Sequence, residues 1–250
     1  MLFTRKFRMA MRNVFGYKKN FIVGLVGVVS CSALLFAGFG MHDSINGILT
    51  KQFGDIMHDN YFVDFNDNIN DQQKTEVESL IKNVDSNAKI VYTFNYNVVA
   101  LPEGRPDANV NIIAPQNKNE FNQMRTLKNR ETQDAYELKD DGALITEKLA
   151  TIMNLHVGDS ITVYKQDQVG NASTLSWNFK ISGIVENYVA HYIYASPEYV
   201  KQVMSHDPQA NALMCKVDVD KANMASFSNS ITNLPYVKTS GFNNDSQDSY

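Results

Sequence analysis

The residues of this 250-residue chain best suited to chemistry are the block Gly158-Asp159-Ser160, five histidines and two cysteines. A serine behind Gly-Asp could be an esterase nucleophile if a downstream Asp-x-x-His supplied its base. The only Asp-x-x-His, Asp55 to His58, precedes the serine and falls on a predicted helix. A nucleophile without a positioned base is inert, so no catalytic residue is assigned and the chain reads as a non-enzyme. His42, His58, His156, His191 and His206 show neither H-x-x-x-H nor Cys-His spacing, so no metal site and no cofactor are assigned. No Walker lysine motif is present, and any ATP chemistry must belong to another polypeptide. Cys31 lies in an apolar run and Cys215 far downstream, so the two cannot pair and no disulfide framework exists.

The elements that must position these residues follow from charge and hydropathy. Hydrophobic residues make up 44% and charged residues 20%, which excludes a disordered or collagen-like chain. The net charge of -4 hides an asymmetry: Arg5, Lys6, Arg8, Arg12, Lys18 and Lys19 precede the first acid, Asp43. With those six set aside, 17 basic residues face 27 acidic ones, a net of -10, which argues against a nucleic-acid partner. Residues 21–41, FIVGLVGVVSCSALLFAGFGM, carry no charge and no proline. As a helix they span roughly 31 Å, the thickness of a bilayer core. The basic N-terminal flank places the N-terminus in the cytoplasm and the chain from about residue 42 outside, in a single-pass topology across the cell membrane. A cleaved signal peptide is disfavoured by the long apolar run and the lack of an A-x-A site before Met41. Lipidation at Cys31, suggested by Val28-Val29-Ser30-Cys31, is disfavoured because Ser32 to Met41 stay apolar where a polar tether should begin.

Ser30, Ala33, Ala37 and Gly40 fall on one face of the spanning helix, and Gly24, Gly27 and Cys31 mark another. Small-residue stripes let helix backbones approach closely in lipid, although glycine and alanine are also common in membrane helices generally. Phe3, Phe7, Met11, Val14 and Phe15 recur at helical spacing among the basic residues, giving an amphipathic elbow over 1–20 at the lipid headgroups. Ile45, Leu49, Phe53 and Ile56 continue the period, so 42–58 is expected to be a helical stalk and 59–250 an extracytoplasmic domain.

Beyond the stalk, short strands and helices alternate. Strands are expected at 61–66, 88–101, 109–115, at the start of the stretch GALITEKLATIM, and at 160–164, 174–189, 192–196, 213–219 and near Tyr236. Helices are expected at 71–84, with Val77, Leu80, Ile81 and Val84 inward, at 118–127, as a short helix carrying Leu149, Ile152 and Leu155, and at 197–204 and 221–233. Pro197 suits a first helical turn, a turn is expected at 168–172, and the polar tail FNNDSQDSY reads as mobile. The fold class is α+β: one N-terminal transmembrane helix with a stalk, then a mixed external domain. Within it, Gly158-Asp159 suits a turn into a strand, Leu149, Ile152 and Leu155 suit a core-facing helix, and Gly183 inside a strand suggests a bulge or close approach.

The same stretches resemble the external domain of FtsX-like permeases, the MacB and LolC/E type of ABC transporter membrane subunit. Gly142, Ile145, Leu149, Ala150, Leu155, Gly158 and Asp159 match one characteristic stretch. Phe179, Ile181, Gly183, Ile184 and Val185 match a later strand, and Tyr192-Ile193 follows. Arg12-Asn13-Val14, Asp43-Ser44-Ile45 and Lys51-Gln52-Phe53 are similar to the elbow and stalk of the long Gram-positive permeases. The resemblance implies a MacB-like periplasmic core, a cytoplasmic ABC ATPase partner, and contact with other permease helices or a second permease copy within the lipid bilayer. It implies mechanical coupling of ATP hydrolysis to export, extraction or signalling. Family members carry three more spanning helices, and this sequence shows no second apolar run. The expectation is therefore part of a split or truncated permease, or a stand-alone domain. The alternative is a single-pass anchored binding or sensing module without transport. A secreted hydrolase would need a cleaved N-terminus and activity dependent on Ser160.

Overall fold

A computed structural model describes residues 5–167 and 169–243, without the side chains of residues 5, 6, 10 and 13–15. Expectations resting on Phe3, on those side chains, on Gln168 and on 244–250 lie outside the described residues. The chain divides into two compact units, Met1–Ile48 and Leu49–Tyr250.

The first unit consists of α1 (Arg5–Gly16) and most of α2 (Lys18–Thr50). Apolar side chains surround α2 on every side and none is buried, the signature of a helix whose solvent is lipid. Among the described residues, one helical run, Lys18–Ile56, is long and apolar enough to cross a membrane. The final turn, Lys51–Ile56, is π-helical, closed by Met57 N donating to Gln52 O at 2.8 Å. Helical hydrogen bonding therefore ends slightly before His58, where the apolar period placed it.

The second unit contains β1 (Tyr61–Phe65), α3 (Asp71–Val84), β2 (Lys89–Ala100), β3 (Ala108–Pro115), α4 (Lys118–Met124) and β4 (Ala143–Thr146). It continues with α5 (Glu147–Met153), β5 (Ser160–Gln166), β6 (Ala172–Val185), β7 (Tyr192–Tyr194), α6 (Pro197–Met204), β8 (Ala212–Lys216), α7 (Met224–Thr232) and β9 (Val237–Phe242). The strand order β2-β8-β1-β9 has antiparallel neighbours throughout, with α3 joining β1 to β2 and α7 joining β8 to β9. That is a split β-α-β pair. One face buries Tyr61, Val63, Leu213 and Cys215 against Val77 and Ile81 of α3 and Phe227 and Ile231 of α7.

Everything from β3 to α6 is inserted between the two halves and closes on β2. The ring runs β2-β3-β7-β4-β6-β5 and back to β2, a six-stranded barrel. Ring closure leaves no free edges, and alternate residues such as Val98, Ile112, Ile145, Ile161, Phe179 and Ile193 fill the barrel core. The α+β class expected from the sequence is the observed one.

Local chemistry accounts for the boundaries. Asn70 caps α3: its side chain accepts from Gln73 N at 2.9 Å, and Gln73 Oε1 accepts from Asn70 N at 3.0 Å. Val84 differs from expectation, being exposed while Val77 and Ile81 are buried, because the chain leaves the helix at Asp85 and the last turn faces solvent. Strand β6 stops at Val185 rather than Val189, because residues 186–191 form a loop that passes through Ala190 at φ 60°.

Strand β2 serves both sheets, pairing with β8 over Lys89–Thr93 and with β5 over Val98–Ala100. Between them the Asn211 carboxamide replaces a strand: Oδ1 accepts from Asn95 N at 2.7 Å and Nδ2 donates to Asn95 O at 2.9 Å. Asn211→Ala should leave both main-chain groups unpaired and cost about 1–3 kcal/mol. Asn97→Ala, on the same strand but with no side-chain hydrogen bond among the described residues, should be near neutral; denaturant unfolding followed through Trp177 would compare the two.

Candidate functional site

The second unit begins in the last turns of the stalk helix, and its first buried polar residue is Gln52. Gln52 has 0% exposure. Its Nε2 donates to Asn187 Oδ1 at 2.8 Å, and its Oε1 accepts from Tyr188 N at 2.8 Å and Val189 N at 3.3 Å. Asn187 Nδ2 in turn donates to Val189 O and Ala190 O, tightening the loop into a socket. The π-helical turn brings Gln52 and Ile56 inward together, and such turns are frequent where helices carry function. Tyr188 completes the clasp, donating to Glu186 Oε1 at 2.6 Å with Lys51 Nζ 5.9 Å from its ring centre.

After the turn, Met57 bridges to Arg125, with His58 N donating to Met124 O and Thr126 N to Ile56 O. Asp59 and Arg125 form a buried ion pair, each about 5% exposed, and Arg125 Nη1 also donates to Met124 O. Asn243 Nδ2 donates to Asp59 Oδ2 at 2.9 Å, tying in the chain after β9. His58 bonds Thr126 Oγ1 at 2.8 Å. Burial holds its pKa below 6.5, and Lys216 and Arg125 add to that effect.

Beside this ion pair lies a cleft of about 460 Å³ at the junction of the split sheet and the barrel. Its lining includes Phe62 and Asp64 of β1, Asn95 and Asn97 of β2, Asn111 of β3 and Tyr192 of β7. Burial raises the Asp64 pKa, and Lys238 opposes the rise.

The residues singled out from sequence are placed as follows. Ser30, Ala33, Ala37 and Gly40 all lie exposed on α2, with nothing within 4 Å of a Cβ built at Gly40. Gly158 has φ 99° and donates to Ile181 O, while Asp159 Oδ2 accepts from His156 N at 2.8 Å, the expected turn. Leu149 is fully buried in the barrel; Ile152 and Leu155 are half-buried. A Cβ at Gly142 would sit 2.8 Å from Ser182 Cβ. A Cβ at Gly183 would sit 2.8 Å from both Leu144 Cδ2 and the Tyr136 ring, where the β4–β6 register also shifts. These motif residues shape one strand-helix-turn-strand corner and do not converge on the cleft. Ser160 is exposed on β5, and among the described residues no histidine bonds it. No group of three potential metal ligands occurs among the described residues. Burial pushes the Cys215 thiol up to about 12.

Sequence reading missed Gln52, Asn187, Arg125, Asp59 and Asn211. In the sequence Gln52 stands only as part of the stalk, since a glutamine between Leu49 and Phe53 carries no periodic signal.

These features define a class, an anchored external domain in which a split β-α-β sheet carries an inserted barrel. The model of the MacB-like periplasmic core domain matches residues 23–234, and the chain belongs to that family, the external domain of ABC-type transporter permeases. Among solved structures, the extracellular domain of the noncanonical ABC-type transporter YknZ from Gram-positive bacteria is similar. Its identity is 12% over 72% of this chain and 98% of that one, with TM-score 0.37. The periplasmic region of MacB from Actinobacillus actinomycetemcomitans is 14% identical over 77% of this chain and 92% of that one, also with TM-score 0.37. No curated protein matches.

Replacing Gln52 by alanine should strand the Tyr188 and Val189 amides. Their hydrogen exchange should accelerate by about tenfold or more, while amides of the barrel core stay protected. Because burial lowers the pKa of His58 and of His191, the folded state prefers both neutral. Their contribution is fully present above pH 6.5 and is lost as pH falls through the lowered values. Denaturation midpoints measured against pH should decline on the acid side, and His58→Gln should flatten part of that decline.

Proposed function

We propose that this chain is part of an FtsX/MacB-type permease, in which a separate cytoplasmic ABC ATPase drives movement of the external domain for export, extraction or signalling. It acts mechanically and not as an enzyme. The basic flank of α2 supports a cytoplasmic N-terminus with the bulk of the chain outside the cell membrane.

The observation that carries the reading is the Gln52 socket. A passive tether needs only a covalent link to its domain, and burying a polar side chain with no partner there would be costly. Here the polar residue at the root of the stalk is buried and hydrogen-bonded through both ends of its carboxamide to the 187–189 loop, which resists slippage under load. The exposed stripe Ser30, Ala33, Ala37 and Gly40 supports packing against other permease helices or a second copy. The second reading, a single-pass anchored binding module, gains from the polar cleft, which needs no ATPase to bind a ligand.

Mild-detergent extraction of the tagged protein from its own membranes should recover a cytoplasmic ATPase together with a multi-spanning chain. Ala33→Leu with Ala37→Leu should abolish that recovery, whereas Gln52→Ala should keep it and lose the transport or signalling output. Recovery of the chain alone would favour the binding module.

A further inference from the structure

The cleft at the junction of the two sheets is unassigned by the family match, and its side chains have an unusual composition. Two charge pairs offset each other there: Arg125 with Asp59, and Asp64 with Lys238 close enough to influence its ionisation. The site therefore favours neither anions nor cations. What it offers is carboxamide. Asn97 and Asn111 stand directly opposite each other across β2 and β3, and Tyr192 is the next partner of Asn111 on β7. This gives one row of polar side chains with strand spacing of about 4.8 Å. Among the described residues neither Asn97 nor Asn111 makes a side-chain hydrogen bond, and the buried Asn95 Oδ1 has no partner.

A carboxamide donates and accepts from one planar group, which matches a ligand bearing hydroxyls that do both. Phe62 and Tyr192, each half-buried in the lining, add ring surface against which a pyranose can pack. An extended peptide is served less well. Peptide sites use a free strand edge for main-chain pairing and apolar pockets for side chains. This cleft lies on sheet faces, and its lining is mostly polar. We propose that the junction cleft is a binding site for an uncharged oligosaccharide, held by the accessible carboxamides of Asn97 and Asn111. At about 460 Å³ it is within the range of small-molecule sites. Met57 and Asp59 also line it, so an occupant touches the chain immediately after the stalk root.

The site is tested on the full chain in lipid nanodiscs, free of glycoside detergent and without nucleotide or ATPase. Its failure there leaves the coupling reading intact. Chitotriose, maltotriose and cellotriose are titrated by calorimetry beside a neutral octapeptide of Gly, Ser and Asn. At least one trisaccharide should bind saturably, and the Asn97→Ala, Asn111→Ala double variant should weaken it by about tenfold or more with its unfolding temperature unchanged. If the double variant fails to fold, Asn97→Ala alone, at an exposed position, carries the same comparison. The proposal is overturned if no trisaccharide saturates, if binding is undiminished in the variant, or if only the octapeptide binds.

Discussion

One strand, β2, belongs to two sheets, and the rest of the external unit is arranged around that constraint. Its twelve residues send Ile90 and Tyr92 toward the helical layer of the split sheet and Phe94 and Val98 into the barrel. Val91 goes to a third cluster with Phe121, Met124 and Met214 under α4. A slip of one residue would exchange these faces and place Thr93, Asn95 and Asn97 in the barrel core, so the register is held by all three clusters together. The cost falls where β2 changes partners, since a strand edge without a neighbour leaves main-chain groups unpaired. Asn211 answers this by presenting a side chain shaped like a peptide group.

The same device recurs at the stalk root. There the exposed groups belong to the loop after β6, and Gln52 supplies both a donor and an acceptor to it. The loop accepts this shape because Ala190 adopts a positive φ and Asn187 bonds back to Val189 and Ala190. Gln52 and Asn211, two carboxamides distant in sequence, thus complete backbone pairing where a neighbouring strand is missing. The Asp59–Arg125 pair is a different solution, with burial of two charges offset by mutual pairing and by added bonds from Met124 and Asn243. Such a pair fixes geometry more than it adds stability, which suits the point where the stalk's chain crosses into the sheet.

Much of the fold was legible locally. The helix at 71–84 and the helix at 197–204 have the bounds that the apolar period and proline chemistry indicated. The β2–β3 hairpin was visible because a turn separates two β-branched runs, and Gly158-Asp159 because a positive φ and a backbone-bonding aspartate have sequence signatures. The family motif was legible for the same reason: Gly142, Leu149 and Gly183 answer to steric demands that few residue types meet. The candidate site was not legible. Its asparagines, its glutamine and its buried arginine are residue types that ordinarily sit on surfaces, and nothing in their spacing marks them as exceptions.

By itself the sequence determined the apolar helix, the basic flank and the α+β alternation, because each depends on composition or on contacts a few residues apart. Only the tertiary structure decided that the middle of the chain closes into a barrel inserted in a split sheet. It alone paired Gln52 with residues 187–189 and gathered Asn97, Asn111 and Tyr192 in one row. The physical reason is range: a hydrogen bond between residues 135 positions apart is set by the packing of every element between them, and no local pattern encodes it.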